Sequence, residues 1–286
     1  KPFILAARPK TLPAAIVPVW VGCALAVQLT GTWDVRLAFY TMMGAVWIQV
    51  ATNFFNDAID SDKGADSDAR MGPVRATASG QLSRKTVYTA ALACLLLASV
   101  FGYPLFVARG WPMLAIALPS FYLAYGYTGG PWPLAYKGLG ELFVVLFFGL
   151  VAVVGTVYVQ TGLWYAEAMI LGLAIGCLSA VLISINNLRD VDEDRVHGKN
   201  TLAVKWGRAR VLNLLLIMSA AAYVCVVVLF PIGAGLLYFL PGLILGAVIL
   251  RKVSQSPPGP AYNRFLALAA LQLILFAIAI SLNTRW

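Results

Sequence analysis

Long apolar segments recur along the whole chain and are separated by shorter polar stretches. A helix rises about 1.5 Å per residue, so roughly 20 apolar residues cross a hydrocarbon core of about 30 Å. The segments of about this length are 12–30, 36–56, 86–107, 111–127, 139–161, 166–188, 210–230, 234–251 and 263–282. The pattern predicts an all-α polytopic membrane protein, with about nine transmembrane helices forming a single domain over residues 1–286.

The composition agrees with a membrane protein and excludes several other classes. Hydrophobic residues make up 60% of the chain and charged residues 12%, and the mean hydropathy is +0.81. A disordered chain and most soluble enzymes are therefore excluded. The single histidine rules out a histidine-based metal centre and a Ser-His-Asp triad. The four cysteines lie inside apolar runs, and their spacing fits neither a zinc site nor a disulfide framework.

The net charge of +9 suggests a topology rather than a nucleic-acid partner. With nine spans, 18 of the 21 Lys and Arg residues fall on one side of the membrane. Such an excess marks the cytoplasmic side. We therefore expect a cytoplasmic N-terminus, cytoplasmic loops at about 57–85, 128–138 and 189–209, and a C-terminus outside.

Nine of the 12 carboxylates fall in two clusters, after the second and sixth apolar segments. Residues three and four apart share one face of a helix. Each cluster predicts one such stripe, and in both clusters an Asn precedes an Asp by four residues, which indicates two pseudo-repeated motifs. The first stripe comprises Asn53, Asn56, Asp57 and Asp60, and the second comprises Asn187, Asp190 and Asp194.

Clustered carboxylates at the end of a helix bundle repel one another and need a cation. Hard oxygen ligands suit Mg²⁺, which keeps coordination positions for the phosphate oxygens of a substrate. Two Asp-rich faces at one apolar cavity would suit a lipid diphosphate. Basic residues near the motifs could bind the remaining phosphate charge: Lys63, Arg70, Arg75, Lys137 and Arg189.

Four stretches of the chain resemble the intramembrane aromatic prenyltransferases of the UbiA superfamily. Two of them hold the motifs, N56-D57-x-x-D60 with Asp66 further on, and N187-x-x-D190-x-x-x-D194. The stretches at 7–22 and 127–141 add to the likeness, which runs along nearly the whole chain. The GGPWPLAY core of the 127–141 stretch resembles the branch that prenylates 1,4-dihydroxy-2-naphthoate in menaquinone synthesis. Lys137 is only an approximate counterpart of a family lysine.

The resemblance implies a helix bundle around a central cavity in the cytoplasmic (inner) membrane of a bacterium, in contact with lipid. It implies Mg²⁺ as cofactor, with polyprenyl diphosphate and dihydroxynaphthoate as substrates and demethylmenaquinone and CO₂ as products. The implied metal ligands are Asp57, Asp60, Asp66, Asp190 and Asp194, and all except Asp66 are also the candidate catalytic residues. The candidate substrate-binding residues are Asn53, Asn56, Lys63, Arg70, Arg75, Lys137, Asn187 and Arg189.

Two alternatives stay open at this point. Another aromatic acceptor, such as 4-hydroxybenzoate or homogentisate, is compatible with the spacing of the motifs. An ion-coupled transporter would also carry intramembrane carboxylates and repeats. The carboxylates here lie at the ends of the spans and not at their centres, which favours the enzyme.

Overall fold

The computed structural model describes residues 2–62 and 75–283, and these residues form helices and connecting turns without any strand. The α-helices are α1 Pro2–Ala7, α2 Pro13–Thr30, α3 Val35–Asp62, α4 Arg84–Arg109, α5 Trp111–Gly126, α6 Gly140–Val144, α7 Ala152–Thr161, α8 Ala166–Arg189, α9 Val191–Val196, α10 Leu202–Trp206, α11 Arg208–Leu229, α12 Leu240–Gln255 and α13 Tyr262–Leu282. A π-helix, Val145–Val151, joins α6 to α7 without a break. Short 3₁₀ helices occupy Pro9–Thr11, Leu134–Tyr136 and Ala234–Phe239.

Seven helical stretches among the described residues are long and apolar enough to cross a membrane. They are Pro13–Thr30, Arg84–Arg109, Gly140–Thr161, Ala166–Arg189, Arg208–Leu229, Ala234–Gln255 and Tyr262–Leu282. The two other predicted segments are helical as well, as α3 and α5. Helix α5 has only 16 residues, and α3 carries polar side chains such as Gln49 and Asn53 along its length.

The helix ends follow from local sequence. Helices α2 and α7 end at Gly31 and Gly162, whose φ angles of 74° and 75° lie in the left-handed region that glycine adopts without strain. Ser83 precedes α4 and accepts a hydrogen bond from the Thr86 N–H at 3.1 Å. The Asp34 carboxylate accepts from the N–H groups of Arg36 and Leu37 and so caps α3.

The π-helix packs directly against α8, at a contact that only glycines permit. A Cβ on Gly176 would lie 2.6 Å from the carbonyl oxygen of Val145, and a Cβ on Gly172 would lie 3.0 Å from the Cα of Leu150. The two backbones therefore touch without side chains between them. Helix α8 is the most deeply buried of the candidate spans, so this contact fixes the helix that carries the second Asp motif.

The connections differ from the predicted loops in one respect. Helix α3 continues to Asp62, so Asp57 and Asp60 lie on its last turns and not in a loop that begins at 57. The 128–138 segment contains the Leu134–Tyr136 turn. The 189–209 segment contains α9 and α10, so the second motif continues from the end of α8 onto a short helix. Hydropathy alone marks only where the apolar residues stop, and helices extend past that point.

Candidate active site

Two cavities adjoin one another where α3 and α8 end. The larger has a volume of about 1450 Å³ and mostly apolar walls from α2, α3, α4, α5, the π-helix, α8 and α13. The smaller, with a volume of about 80 Å³, has mainly polar walls from both Asp motifs and from the 127–141 stretch. The two cavities share the lining residues Arg8, Asn56, Arg75, Tyr127, Ile183 and Asn186.

The first motif contributes Asp60 to the polar cavity. Asp60 is buried on the last turns of α3 and accepts a hydrogen bond from the Arg75 guanidinium at 2.9 Å and one from the Tyr136 hydroxyl at 3.0 Å. Burial and the negative charge of Asp60 raise the pKa of Tyr136, so the tyrosine stays protonated and continues to donate. Arg75 and Tyr136 thus stabilise the ionised carboxylate from two directions.

Asp57 has a different environment, although it belongs to the same stripe. Its carboxylate accepts hydrogen bonds from the N–H groups of Ala76 and Thr77 and from the Thr77 hydroxyl, at 3.2, 2.9 and 2.6 Å. These bonds fix the turn that carries Arg75. Asp57 does not line either cavity. Asn56, one residue earlier, faces the polar cavity and bonds the Thr128 hydroxyl.

The second motif repeats the pairing of an aspartate with an arginine. Arg189 and Asp190, at the end of α8, form a bidentate ion pair with both N–O distances at 2.7 Å. The same guanidinium donates to the side-chain oxygens of Asn186 and Asn263. Asp190 lines the polar cavity and Arg189 lines the apolar one. Charge-assisted pairs of this geometry hold both side chains in fixed positions.

Asp194, on α9, is the least compensated carboxylate of the two motifs. It is 6% exposed, and its Oδ2 atom is buried without a hydrogen-bond partner in the part of the chain that the structure describes. Lys199 approaches its Oδ1 atom only to 3.6 Å. Burial, together with the nearby negative charges of Asp190 and Asp60, raises the pKa of Asp194 to about 6, against the lowering effect of Lys199. An ionised Asp194 therefore needs a further positive partner.

Asn53 links the first motif to the N-terminal segment. Its side-chain amide donates to the Ala7 carbonyl at 2.8 Å and to the Thr11 hydroxyl at 2.9 Å. Between these two contacts lies Arg8, the one described residue other than glycine with a positive φ, at 49°. A left-handed conformation costs a non-glycine residue of order 1 kcal/mol or more. The strained turn places Arg8 on the wall shared by both cavities.

Glu141 is a third buried acidic group at the polar cavity. It lies in the first turn of α6 and is 4% exposed. Its Oε1 atom accepts from the Asn187 amide at 3.0 Å and from the Ser184 hydroxyl at 3.4 Å. Its Oε2 atom is buried and has no hydrogen-bond partner among the described residues. Asn187 is thus held by Glu141.

The structure brings most of the predicted site residues together. Those that line a cavity are Asn53, Asn56, Asp60, Arg75, Asn187, Arg189 and Asp190, while Asp57 and Asp194 lie behind the walls. Lys137 lines neither cavity, and its ammonium lies 5.0 Å from the centre of the Trp132 ring. Lys63, Asp66 and Arg70 lie outside the described residues.

Several lining residues were not among the predicted set. They include Arg8, Tyr127, Thr128, Glu141, Asn186, Lys199 and Thr201. Glu141 carried a usable signal, since an acidic residue at the start of an apolar segment is costly in a membrane and marks a functional site by default. Arg8, a charged residue shortly before the first apolar segment, carried a weaker signal of the same kind. The threonines and Tyr127 had none, because only the fold brings them to the cavity.

The donor set fits a hard divalent cation. In the part of the chain that the structure describes, no group of three or more His, Cys, Asp or Glu side chains is close enough to hold a metal by itself. The oxygen-only donors, the uncompensated Oδ2 of Asp194 and the few carboxylates nonetheless suit Mg²⁺, which uses one or two protein carboxylates and fills its other positions with water and substrate phosphate.

The arrangement suits an amphiphile with an anionic head. Arg8, Arg75 and Lys199 supply positive charge around the polar cavity, and the apolar cavity continues from it. Two of the apolar cavity's lining residues, Tyr103 and Leu118, are 67% and 64% exposed. The apolar cavity therefore reaches the outer surface of the bundle, where a hydrocarbon chain can leave it.

Comparison with known proteins identifies relatives along most of the chain. The family model described as the UbiA prenyltransferase family matches residues 15–257. The 1,4-dihydroxy-2-naphthoate octaprenyltransferase of Mycobacterium leprae (strain TN) is 34% identical over 281 residues, which cover 98% of this chain and 94% of that protein. The protein of the same name from Bacillus subtilis (strain 168) is 34% identical over 227 residues, which cover 79% of this chain and 73% of the relative.

A solved structure shares the fold. The UbiA homolog from Archaeoglobus fulgidus bound to DMAPP and Mg²⁺ superposes with a TM-score of 0.70 at 16% identity, covering 99% of this chain and 100% of the homolog. At this identity the likeness establishes the helical architecture.

Proposed function

The chain belongs to the UbiA prenyltransferase family, and we propose that it transfers a polyprenyl group from polyprenyl diphosphate to 1,4-dihydroxy-2-naphthoate with loss of CO₂, giving demethylmenaquinone in its reduced, quinol form. It is an integral membrane prenyltransferase. The observation that carries the choice of acceptor is the 34% identity, over 98% of the chain, to a relative named for this reaction. The polar cavity that opens into a large apolar one supports a lipid diphosphate as donor.

The diphosphate lies in the polar cavity between the two motifs in this proposal. Arg75 and Lys199 line that cavity and bind phosphate oxygens. The ion pairs of Asp60 with Arg75 and of Asp190 with Arg189 hold the walls rigid before substrate arrives. Because the positive groups are already oriented, they stabilise the negative charge that develops as the diphosphate leaves.

Mg²⁺ would be held by carboxylates of both motifs, with Asp60, Asp190 and Asp194 as the described ligands nearest the polar cavity. Asp57 and Asp66 complete the proposed set, although Asp57 also serves the turn at Ala76 and Thr77. When bound, the ion neutralises charge on the diphosphate oxygens. The Archaeoglobus homolog was solved with DMAPP and Mg²⁺, which supports a divalent metal in this family.

The proposed reaction exchanges one carbon substituent of the ring for another. The bond between the allylic carbon and the diphosphate oxygen breaks, and the ring carbon that bears the carboxylate attacks the allylic carbon. The bond to the carboxylate carbon then breaks and its electron pair returns to the ring, so diphosphate and CO₂ leave without net proton release. The apolar walls exclude water, which would otherwise capture the allylic cation. Phe143 and Phe147, stacked at 6.0 Å on the cavity wall, offer aromatic faces to that cation.

We also propose that α3 and α5 cross the membrane with the seven other spans, which gives nine. Both motifs and the N-terminus then face the cytoplasm and the C-terminus lies outside, in a bacterial cytoplasmic membrane. Single cysteines at Thr32 and Ser254, which are exposed at opposite ends of the bundle in this topology, test the assignment. The four native cysteines are buried, so background labelling is low. Labelling of both positions from the same side would contradict the topology.

An acceptor panel tests the function. The purified protein is incubated with Mg²⁺, a polyprenyl diphosphate and, separately, dihydroxynaphthoate, 4-hydroxybenzoate or homogentisate, and the lipid extract is analysed by mass spectrometry. The proposal predicts a product only from dihydroxynaphthoate, with a mass that lacks the carboxyl group. A product from 4-hydroxybenzoate or homogentisate instead would assign a different acceptor.

A further inference from the structure

The buried Oε2 atom of Glu141 has no role in the folded chain as described. Glu141 is 4% exposed, and within residues 2–62 and 75–283 nothing forms a hydrogen bond with Oε2. Its other oxygen is fixed by two donors on α8, the Asn187 amide and the Ser184 hydroxyl. A buried carboxylate oxygen without a partner is costly, since it has lost water without replacing it. The side chain is therefore held in a set orientation with one free acceptor.

That acceptor belongs to the polar cavity. Glu141 lines it together with Tyr127, whose hydroxyl comes so close to α6 that a Cβ on Gly140 would lie 2.8 Å from it. Arg8 and Arg75 line the same cavity. The space next to Glu141 thus has polar walls and shares lining residues with the apolar cavity, where an acceptor ring would have to meet the donor.

No described residue donates a hydrogen bond to Oε2, so we look for its partner in a bound substrate, and the chemistry of the two substrates selects the group. A diphosphate carries no hydrogen-bond donor at its ionised oxygens, and its charge would be repelled by Glu141. The acceptor's carboxylate is repelled for the same reason. Mg²⁺ needs only one or two protein carboxylates and is already assigned to the aspartates of the two motifs, so it does not require Glu141. What remains is a hydroxyl group of the aromatic acceptor, which donates an O–H.

Resting on the proposed function, we propose that Glu141 is a catalytic residue that binds the acceptor's hydroxyl next to its carboxylate and exchanges a proton with it. As the new C–C bond forms, the hydroxyl proton moves to Oε2 of Glu141 and the oxygen becomes a ring carbonyl. The ring carbon then bears both the prenyl group and a carboxylate, one bond away from that carbonyl. This is a β-keto carboxylate, which loses CO₂ readily. The electron pair returns to the carbonyl oxygen, which takes the proton back from Glu141.

The step is balanced, because the proton is borrowed and returned and no oxidant is needed. It also explains why an acid or base is useful in a reaction that releases no net proton. Transfer of the proton raises the electron density of the ring when it attacks the cation. A positioned proton-transfer group contributes about 10²- to 10⁴-fold to a rate.

The test compares Glu141→Gln and Glu141→Ala with wild type, using dihydroxynaphthoate. Gln can still accept from Asn187 but cannot take up a proton, so a purely structural role for Glu141 would be preserved in Glu141→Gln and lost in Glu141→Ala. We expect kcat to fall about 100-fold or more in both variants, with the KM for the polyprenyl diphosphate unchanged. Glu167→Gln, in the first turn of α8 and away from both cavities, is the matched control and should keep wild-type rates.

Two isomeric acceptors distinguish a contact between Glu141 and the substrate hydroxyl from a role of Glu141 in packing alone. 1-Hydroxy-2-naphthoate keeps the hydroxyl beside the carboxylate, and 4-hydroxy-2-naphthoate lacks it. Wild type should prefer the first isomer, and the preference should shrink about tenfold or more in Glu141→Gln. Binding of a non-cleavable prenyl diphosphate analogue with Mg²⁺, measured by calorimetry, should be unchanged, which shows that the variant is folded.

Near-wild-type kcat in Glu141→Gln would overturn the inference, and so would loss of analogue binding, which would place Glu141 at the diphosphate. The proposed function fails separately, if wild type itself makes no product from dihydroxynaphthoate.

Discussion

Asp194→Asn should make the metal-free protein more stable while it removes activity. Asp194 is 6% exposed, no described residue forms a hydrogen bond with its Oδ2, and burial raises its pKa from 3.8 to about 6. Below about pH 4 the carboxyl is protonated in the folded and unfolded states and carries no penalty. Between about pH 4 and pH 6 the carboxyl ionises in the unfolded chain but stays largely protonated in the folded one. The free energy of unfolding therefore falls over this range, and the loss is complete once the pH has risen through 6. At about 1.4 kcal/mol per pKa unit, the cost at neutral pH is about 3 kcal/mol.

The measurement is thermal unfolding in detergent with EDTA, at pH 7.5 and pH 5. For a chain of this size 1 kcal/mol shifts Tm by about 2–4 °C, so Asp194→Asn should unfold several degrees above wild type at pH 7.5 and with a smaller advantage at pH 5. Mg²⁺ should raise the Tm of wild type more than that of the variant. Asp192→Asn, whose exposed carboxylate pairs with Arg195 on the surface, is the control and should match wild type. A variant less stable than wild type at pH 7.5 would refute the reasoning.

Three further predictions follow from the packing and the cavities. Asp57→Ala should lose most activity and expose the turn at Ala76 to proteolysis, because three hydrogen bonds hold that turn to Asp57, whereas Asp62→Ala, on the surface, should do much less. Gly176→Ala should destabilise the protein by about 1–3 kcal/mol in thermal unfolding, since its Cβ would lie 2.6 Å from a backbone carbonyl; Gly102→Ala, with open space around it, should not. The reaction rates of C20 and C40 diphosphates in membranes should lie within about tenfold of each other. The apolar cavity reaches the bundle surface, so the tail carbons beyond it contact lipid both before and after the donor binds. A sharp optimum at one length would indicate a closed pocket.

The apolar pattern was enough to place the long helices, because a bilayer requires long helical segments that satisfy their own backbone; the short helices α1, α9 and α10 were not predicted. It could not show that α3 continues to Asp62, since those last turns are polar and are stabilised by contacts with Arg75 and Tyr136. It could not predict the π-helix either, which follows from the glycine contacts with α8.

Residue type and spacing predicted the motif residues but not the different contacts that each of them makes. Asp57 and Asp60 lie on one predicted stripe, yet one fixes a turn and the other faces the polar cavity. Asn53 acts on the N-terminal segment, which is 46 residues earlier in the chain at Ala7. The position of Glu141 depends on Ser184 and Asn187 of α8. Such pairings between distant parts of the chain are set by the packing and leave no local signal.

The most direct test of the account uses dihydroxynaphthoate labelled with ¹³C in its carboxyl group. Purified protein, Mg²⁺ and a polyprenyl diphosphate are combined, and ¹³CO₂ and prenylated naphthol are measured in the same sample. The account predicts one ¹³CO₂ for each prenylated product, and neither from Asp190→Asn, in which the carboxylate paired with Arg189 is removed. A prenylated product that retains the label would contradict the account.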